Sequence, residues 1–452
     1  MFRTRTIPLL VCALLAPAAL AGDKSAVLAP RAEPWLARGL SDYTIPAPPG
    51  DAAADLAELR KAVASRAAAD VERIRWWDTG GPAYRWNEIA VGEMLDQFAT
   101  LPLAARHLAL VQTAVDDAVA ASWAGKKAHR RARPGASDAG PAIVVPSPAT
   151  PSYPSDYAAA AAAASEVLAH LFPARAAVFA AMAEEAMQGR VAAGVEFPSD
   201  REAGRALGRQ AAALAIARAK ADGSDAKWTG SVPQGPGTWQ GTNPIAPMAG
   251  TWKTWVLARP DELRPPAPPA YDSDRIKADL AELKQFPRTP KTNHRATYWE
   301  VFGGARAHAL WNDIARTKLL EHGTAFNAPA QARVLAAVNV ALIDAGIACW
   351  EAKFAYWYIR PPQLDPELKP VFPPPNHPSY PAAHGCFSTA AATVLAAVFP
   401  RDAERLLAQG AEAAEARVWA GIHYRTDIDA GQTLGRQVGE RVIARAFETR
   451  TP

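Results

Sequence analysis

The chain has 452 residues, 49% of them hydrophobic and 21% charged, enough apolar material for a large core and for more than one packed unit. Its 49 basic residues stand against 45 acidic ones, a near balance that gives no case for nucleic acid or an anionic membrane surface as partner. Three cysteines are too few for a disulfide framework.

At the N-terminus, Arg3 and Arg5 precede an apolar run from Ile7 to Ala18, and Ala19-Leu20-Ala21 forms a small-x-small step before Gly22. That is the layout of a secretory signal peptide over 1–21, so export to the periplasm or medium is expected. Cys12 lies inside this stretch, and Val11 before it is too bulky for a lipoprotein signal. No later run reaches the ~18 uninterrupted apolar residues of a membrane span, so a soluble mature protein is expected. Residues 22–79 read as an N-terminal extension.

Residues 80–222 read as a first helical bundle. Leu108, Val111, Val115 and Val119 recur at helical spacing, and the Ala-rich run Ala158–Phe172 is stopped by Pro173. Residues 223–296 differ in composition, with GSVPQGPGTWQGTNPIAPMAGTWKTW and RPPAPPAYD. So many tryptophans predict an ordered, irregular connection that shapes the mouth of a site. Residues 297–452 read as a second bundle, with Leu335, Val338, Leu342 and Ile347 at helical spacing and Ser388–Phe399 stopped by Pro400. No convincing strand pattern occurs, so the expected class is all-α, built of two helical bundles.

The bundles are copies in sequence. Residues 105–123 (ARHLALVQTAVDDAVAASW) align with 332–350 (ARVLAAVNVALIDAGIACW) at a shift of 227, and ten of the nineteen positions are identical. The shift then carries Lys126, Arg133-Pro134, Pro151-Ser152-Tyr153-Pro154, Arg190 and Asp200 onto Lys353, Arg360-Pro361, Pro378-Ser379-Tyr380-Pro381, Arg417 and Asp427. Trp86-Asn87-Glu88-Ile89-Ala90 resembles Trp311-Asn312-Asp313-Ile314-Ala315 at a shift of 225. Alanine-rich composition alone would not keep Lys, Arg, Trp, Asp and Pro in register, so a tandem duplication is expected.

Comparing the copies separates scaffold from chemistry. His384 stands where the first copy has Tyr157, and His423 where it has Glu196. A site needing two imidazoles therefore belongs to the second copy. There, Lys353 and Arg360 lie two helical turns apart and are expected on one side of a helix ended by Pro361. Pro381-Ala382-Ala383-His384 leads into a helix expected to start near Gly385, whose N-terminal N–H groups favour an anion. Arg417-x5-His423-x3-Asp427 adds a third cation and an imidazole with its carboxylate. Three cations, a helix N-terminus and two histidines suit a tetrahedral oxyanion. Guanidinium forks pair with its oxygens, one histidine attacks or ligates the central atom, and the other moves a proton.

Lys353-x6-Arg360-Pro361, Pro381-x-x-His384 and Arg417-x5-His423-x3-Asp427 together resemble the three-part signature of the superfamily that unites vanadium-dependent haloperoxidases with type 2 phosphatidic acid phosphatases. The wider pattern over roughly 80–448 resembles the soluble bacterial haloperoxidases. The resemblance implies that His423 is the vanadium ligand of a peroxidase or the nucleophile of a phosphatase. It implies that Lys353, Arg360, Arg417 and the Ala383 N–H hold the anion's oxygens. His384 would then be the acid–base group, and Asp427 would orient His423. The implied cofactor is vanadate, or none in a phosphatase. The implied substrates are small molecules, either halide with hydrogen peroxide or a phosphate ester.

Ala382-Ala383 stand where the family has Ser-Gly. The missing hydroxyl bond to a charged acceptor is worth about 1.5–3 kcal/mol, so weakened vanadate binding is expected. Three functions follow from these residues: haloperoxidase, phosphomonoesterase through a phosphohistidine, or a non-catalytic oxyanion-binding protein. Among the remaining histidines only His377, in the Pro-rich approach, invites testing. Ser379 reads as structural, Trp357 and Trp419 as packing or pocket walls, and no His/Asp/Glu cluster has divalent-metal spacing. The spacing of Cys349 and Cys386 does not say whether they meet, and free buried thiols are the expectation.

Overall fold

The two matching 19-residue segments lie inside two 29-residue helices that pack against each other at the centre of the molecule. This was seen in a computed structural model that describes residues 28–50, 52–136, 140–324 and 327–448. The signal segment expected over 1–21 lies outside the described residues. The first half runs α1 (Ala52–Ala64), α2 (Ala68–Asp78), α3 (Tyr84–Asp96), α4 (Leu101–His129), α5 (Asp156–Leu171), α6 (Ala176–Ala192) and α7 (Pro198–Lys220). The second runs α8 (Asp274–Gln285), α9 (Pro290–Glu300), α10 (Ala307–Glu321), α11 (Ala328–Tyr356), the single turn α12 (Pro361–Leu364), α13 (Ala383–Val398), α14 (Ala403–Ala420) and α15 (Arg425–Ala446). The protein is all-α. Among the described residues, extended pairing is limited to isolated bridges, Pro30 with Phe447 and Thr238 with Tyr358.

One core serves both halves. Leu108, Val111 and Val115 of α4 and Leu335, Val338 and Leu342 of α11 are all fully buried in the same cluster. Each such side chain contributes about 1.5–3 kcal/mol by leaving water. Polar groups also meet across the seam, where Asn87 of α3 donates to Asn312 of α10 at 2.7 Å, and Asn312 donates to Asn339 of α11 at 2.9 Å. Helix α11 is the one described helix long and apolar enough to cross a membrane, and here it is the buried core helix.

Alanine and glycine let the remaining helices approach closely. A Cβ at Gly204 would stand 2.2 Å from the Ser155 carbonyl oxygen, and one at Gly431 would stand 2.5 Å from that of Ala382. No side chain fits at either place, so α7 presses on the start of α5 as α15 presses on the start of α13.

The correspondence extends upstream of the expected bundles. Asp117 accepts from the backbone N–H of Trp35 and Leu36, and Asp344 accepts from Trp255, Val256 and Leu257. Tyr153 donates to the Pro46 carbonyl at 2.7 Å, and Tyr380 to that of Pro266 at 2.8 Å. Residues 35–46 and 255–266 thus form equivalent straps, each leading into short helices, instead of a plain extension and a plain connection. Within the second strap Tyr356, Tyr358 and Tyr380 each hold one carbonyl of the Pro265–Pro269 run. Trp239 N–H donates to Trp357 O and Ile359 N–H to Gly237 O, so this region packs directly on the chain that carries Arg360.

Candidate functional site: a buried cluster of cations and histidines

Helix α11 stops at Tyr356, earlier than expected. Trp357 takes a left-handed conformation (φ 49°) as its C-cap, and Arg360 sits in extended backbone outside the helix. Lys353 and Arg360 therefore converge because the chain turns back, not because they share a helical face; Pro361 begins α12. Lys353 Nζ donates to the carbonyls of Pro378 (2.8 Å), Ser379 (2.8 Å) and Pro381 (2.5 Å). Arg360 is gripped by the His377 and Ile422 carbonyls (2.9 and 3.0 Å), with His377 Nδ1 at 3.1 Å and His423 Nε2 at 3.3 Å. His377 is thus part of the site, bracing Arg360 against the Trp350 ring (5.2 Å).

Helix α13 starts at Ala383, two residues before the expected start. Its N-cap, Ala382, has no side-chain cap, whereas Ser155 at the same place in the first half accepts from Ala158 N–H at 3.0 Å. Giving up a cap costs about 1 kcal/mol and leaves the first amides of α13 free for another acceptor. His384, on this first turn, contacts the Trp299 carbonyl through Nε2 at 2.9 Å, which fixes Nε2–H as donor and Nδ1 as the open lone pair.

Helix α14 brings Arg417, and the turn after it brings His423. Arg417 donates to the Ala296 carbonyl (2.8 Å) and pairs with Glu300 at the end of α9, while its buried Nε has no partner. Gly304, just after Glu300, abuts His384, where a Cβ would stand 2.9 Å from Cε1. The turn 301–305 thus covers this side of the site.

His423 Nδ1 lies 2.8 Å from Asp427 Oδ2, which also accepts from Ser379 Oγ (2.6 Å) and Tyr424 N–H (3.2 Å). With Nδ1–H donating to Asp427, the Nε2 lone pair is left facing the cations. Ser379, read as structural, supports this carboxylate. Trp357 and Trp419 are packing residues. Trp357 lies against Phe354 and Trp239, and Trp419 stacks on Phe286.

Burial governs the protonation states. It pulls His423, His384 and His377 well below the ordinary imidazole value, helped by the neighbouring arginines and Lys353, so the imidazoles are neutral. It lowers Arg360 and Arg417 to about 10, still cationic at neutral pH. Burial brings Lys353 to about 8 and pushes Asp427 up to about 7, against the pull of Ser379 and Lys353 on that carboxyl.

Every expected site residue, Lys353, Arg360, Ala383, His384, Arg417, His423 and Asp427, lies in this one buried region. Glu300 and His377 join them. A neutral imidazole backed by a carboxylate, amid three cations and an uncapped helix start, is an arrangement suited to a tetrahedral oxyanion.

Residues 334–448 match the model of the PAP2 superfamily. The matched stretch carries Lys353, Arg360, His384, Arg417, His423 and Asp427. Non-specific acid phosphatases of Salmonella typhi and Salmonella typhimurium (strain LT2) are 40% and 39% identical over 57 residues, 13% of this chain. The chain thus spans only 23% of the length of these curated relatives. A bacterial vanadium-dependent iodoperoxidase superposes with a TM-score of 0.62 at 21% identity, over 85% of this chain and 97% of that one. A holo-type bacterial vanadium-dependent chloroperoxidase gives 0.54 at 17% identity, over 76% and 91%.

Proposed function

We propose that the second bundle is a vanadate-dependent haloperoxidase site that oxidises halide with hydrogen peroxide. The observation that carries an oxyanion site is a surplus of buried positive charge. Among the described residues, Lys353, Arg360 and Arg417 are answered by Glu300 and by an Asp427 already committed to His423. Vanadate fits these residues. His423 Nε2 carries a lone pair that meets only Arg360 at 3.3 Å, Arg417 Nε is a buried donor with no partner among the described residues, and three cations match an anion of charge two or three. Likeness to haloperoxidases along nearly the whole chain supports the peroxidase reading.

Bound vanadate would supply the electrophilic centre at which peroxide becomes reactive toward halide. The protein's own part is electrostatic and protonic. Asp427 holds the tautomer of His423 that keeps Nε2 free, and Lys353, Arg360 and Arg417 spread the negative charge of the bound oxygens. His384 accepts or returns a proton at Nδ1, and the charge of a neighbouring anion raises its basicity.

The second reading is phosphomonoester hydrolysis, with His423 Nε2 attacking phosphorus and His384, once the bound phosphate's charge has raised its basicity and protonated Nδ1, passing that proton to the leaving oxygen. The match to the acid phosphatases favours it. One panel on purified protein separates them: bromide and peroxide with a bromination dye, and p-nitrophenyl phosphate, each with and without orthovanadate. Vanadate-dependent bromination supports the peroxidase. Phosphate release blocked by vanadate establishes the phosphatase. Neither turnover, with phosphate still bound, leaves an oxyanion-binding protein. We also read residues 1–21 as an export signal, tested by the N-terminal sequence of the protein recovered outside the cytoplasm.

A further inference from the structure

Two buried thiols lie immediately behind the anion site. Cys349 stands one helical turn before Lys353 on α11, and Cys386 two residues after His384 on α13, and both are fully buried. They lie on helices that pack against each other, in the same buried cluster. Cys349 Sγ also lies 3.9 Å from the Pro381 carbonyl oxygen, the atom to which Lys353 Nζ donates at 2.5 Å. The thiol and the ammonium thus meet at one acceptor. The pair occurs only in the half that carries the histidines, since the first half has Ser122 and Ala159 at these positions. Ser122 there turns its hydroxyl onto its own helix, at the Val119 carbonyl.

We propose that Cys349 and Cys386 form a peroxide-responsive dithiol whose oxidation to a disulfide clamps α11 to α13 behind the anion site. The two thiols are not equivalent. Burial raises Cys349, but contact with Cys386 and the nearby Lys353 charge outweigh this and leave it below the ordinary thiol value, whereas burial and its neighbour hold Cys386 well above it. Cys349 is the attacking sulfur and Cys386 the resolving one. In the first step the Cys349 thiolate attacks one peroxide oxygen, the O–O bond breaks, and with one proton taken up the products are a sulfenic acid and water. In the second step the Cys386 sulfur displaces that hydroxyl as a second water, its own proton leaving with it. Overall, two thiols and one hydrogen peroxide give one disulfide and two waters. Peroxide is small and uncharged, and under the peroxidase reading it is already a substrate next door. The thiol chemistry itself does not depend on that reading.

The full-length protein is treated with a few equivalents of hydrogen peroxide, denatured with a thiol-blocking reagent and mapped by mass spectrometry. The expected product is a peptide pair joined through Cys349 and Cys386, two hydrogens lighter than the reduced pair and released by a reducing agent. In Cys386→Ala, which copies Ala159, the expected product is a sulfenic acid on Cys349 that a dione probe traps. Circular dichroism confirms that this variant is folded. The inference is overturned if both thiols of folded, peroxide-treated protein stay fully blockable. It is equally overturned if Cys349 and Cys386 gain oxygen without a crosslink. Neither readout requires turnover, so an inactive or phosphatase outcome in the activity panel leaves the test intact.

Discussion

In the first half, Lys126, Arg133 and Arg190 are met by Asp156 at 3.7 Å, Glu196 at 3.5 Å, and Asp78 at 2.5 Å. In the second half Lys353, Arg360 and Arg417 occupy the equivalent places, but Ala383 replaces Asp156 and His423 replaces Glu196. Only the third acid persists, as Glu300 in the place of Asp78. The scaffold is the same, down to the cis bonds before Pro154 and Pro381 and the left-handed caps Arg130 and Trp357. Two exchanged residues thus separate a neutralised ion cluster from a cationic pocket. One exchange removes a carboxylate, and the other replaces a carboxylate with a neutral imidazole. Buried cations need partners, and among the described residues the second half supplies fewer of them.

The strongest break of this comparison is His423→Glu or His423→Ala, expected to lower turnover about a thousandfold or more in steady-state assays. Activity retained in either variant would move the site elsewhere. Next comes Asp427→Asn, expected to cost about 10³-fold in kcat because His423 loses the partner that fixes its tautomer. Asp200→Asn, the same change in the first half, should leave kcat unaltered, since Asp200 serves the Phe197 N–H and Arg131.

Ala383→Asp would give the second half the carboxylate of the first. Phosphate or vanadate affinity, measured by calorimetry, should fall about a hundredfold, near 2.7 kcal/mol. An unchanged affinity would show that charge surplus is not what binds the anion.

Affinity should also fall with pH, about tenfold per unit above about 8, as Lys353 loses the proton that makes it an ammonium. On the acid side, turnover should fall as pH drops through about 7, where Asp427 takes a proton and loses the charge that supports His423. The smallest expected effect is Glu300→Gln, which frees Arg417 from a partly exposed partner and should raise anion affinity about threefold. Asp78→Asn should confer no binding on the first half, because Asp156 and Glu196 remain.

Much of the site was legible because its chemistry sits in residues of fixed spacing and because the two copies could be subtracted from each other. His384 and His423 stood out as the imidazoles absent from the first copy. What stayed hidden depended on the path of the chain. Nothing in the local sequence says that Trp357 caps α11 in a left-handed conformation, so Arg360 was placed on the helix. Glu300 lies 117 positions from Arg417 and belongs to no motif. Only packing of α9 against α14 brings it there. Ser379 was set aside because a lone serine three residues from the helix carries no signal of the carboxylate it supports. The upstream correspondence was missed because the shift falls from 227 to 225 and then to 220. The signal was nevertheless present, as Pro46-Ala47-Pro48-Pro49 and Pro266-Ala267-Pro268-Pro269.

The hydrogen bond between Asn87 and Asn312 joins a residue to its own counterpart, as the contact on the axis of a two-fold dimer does. Here both subunits of that dimer are one polypeptide. A dimer of separate chains would lose its partner on dilution, but here the first half is supplied at a fixed, high local concentration. The second half therefore keeps its core closed however scarce the protein becomes.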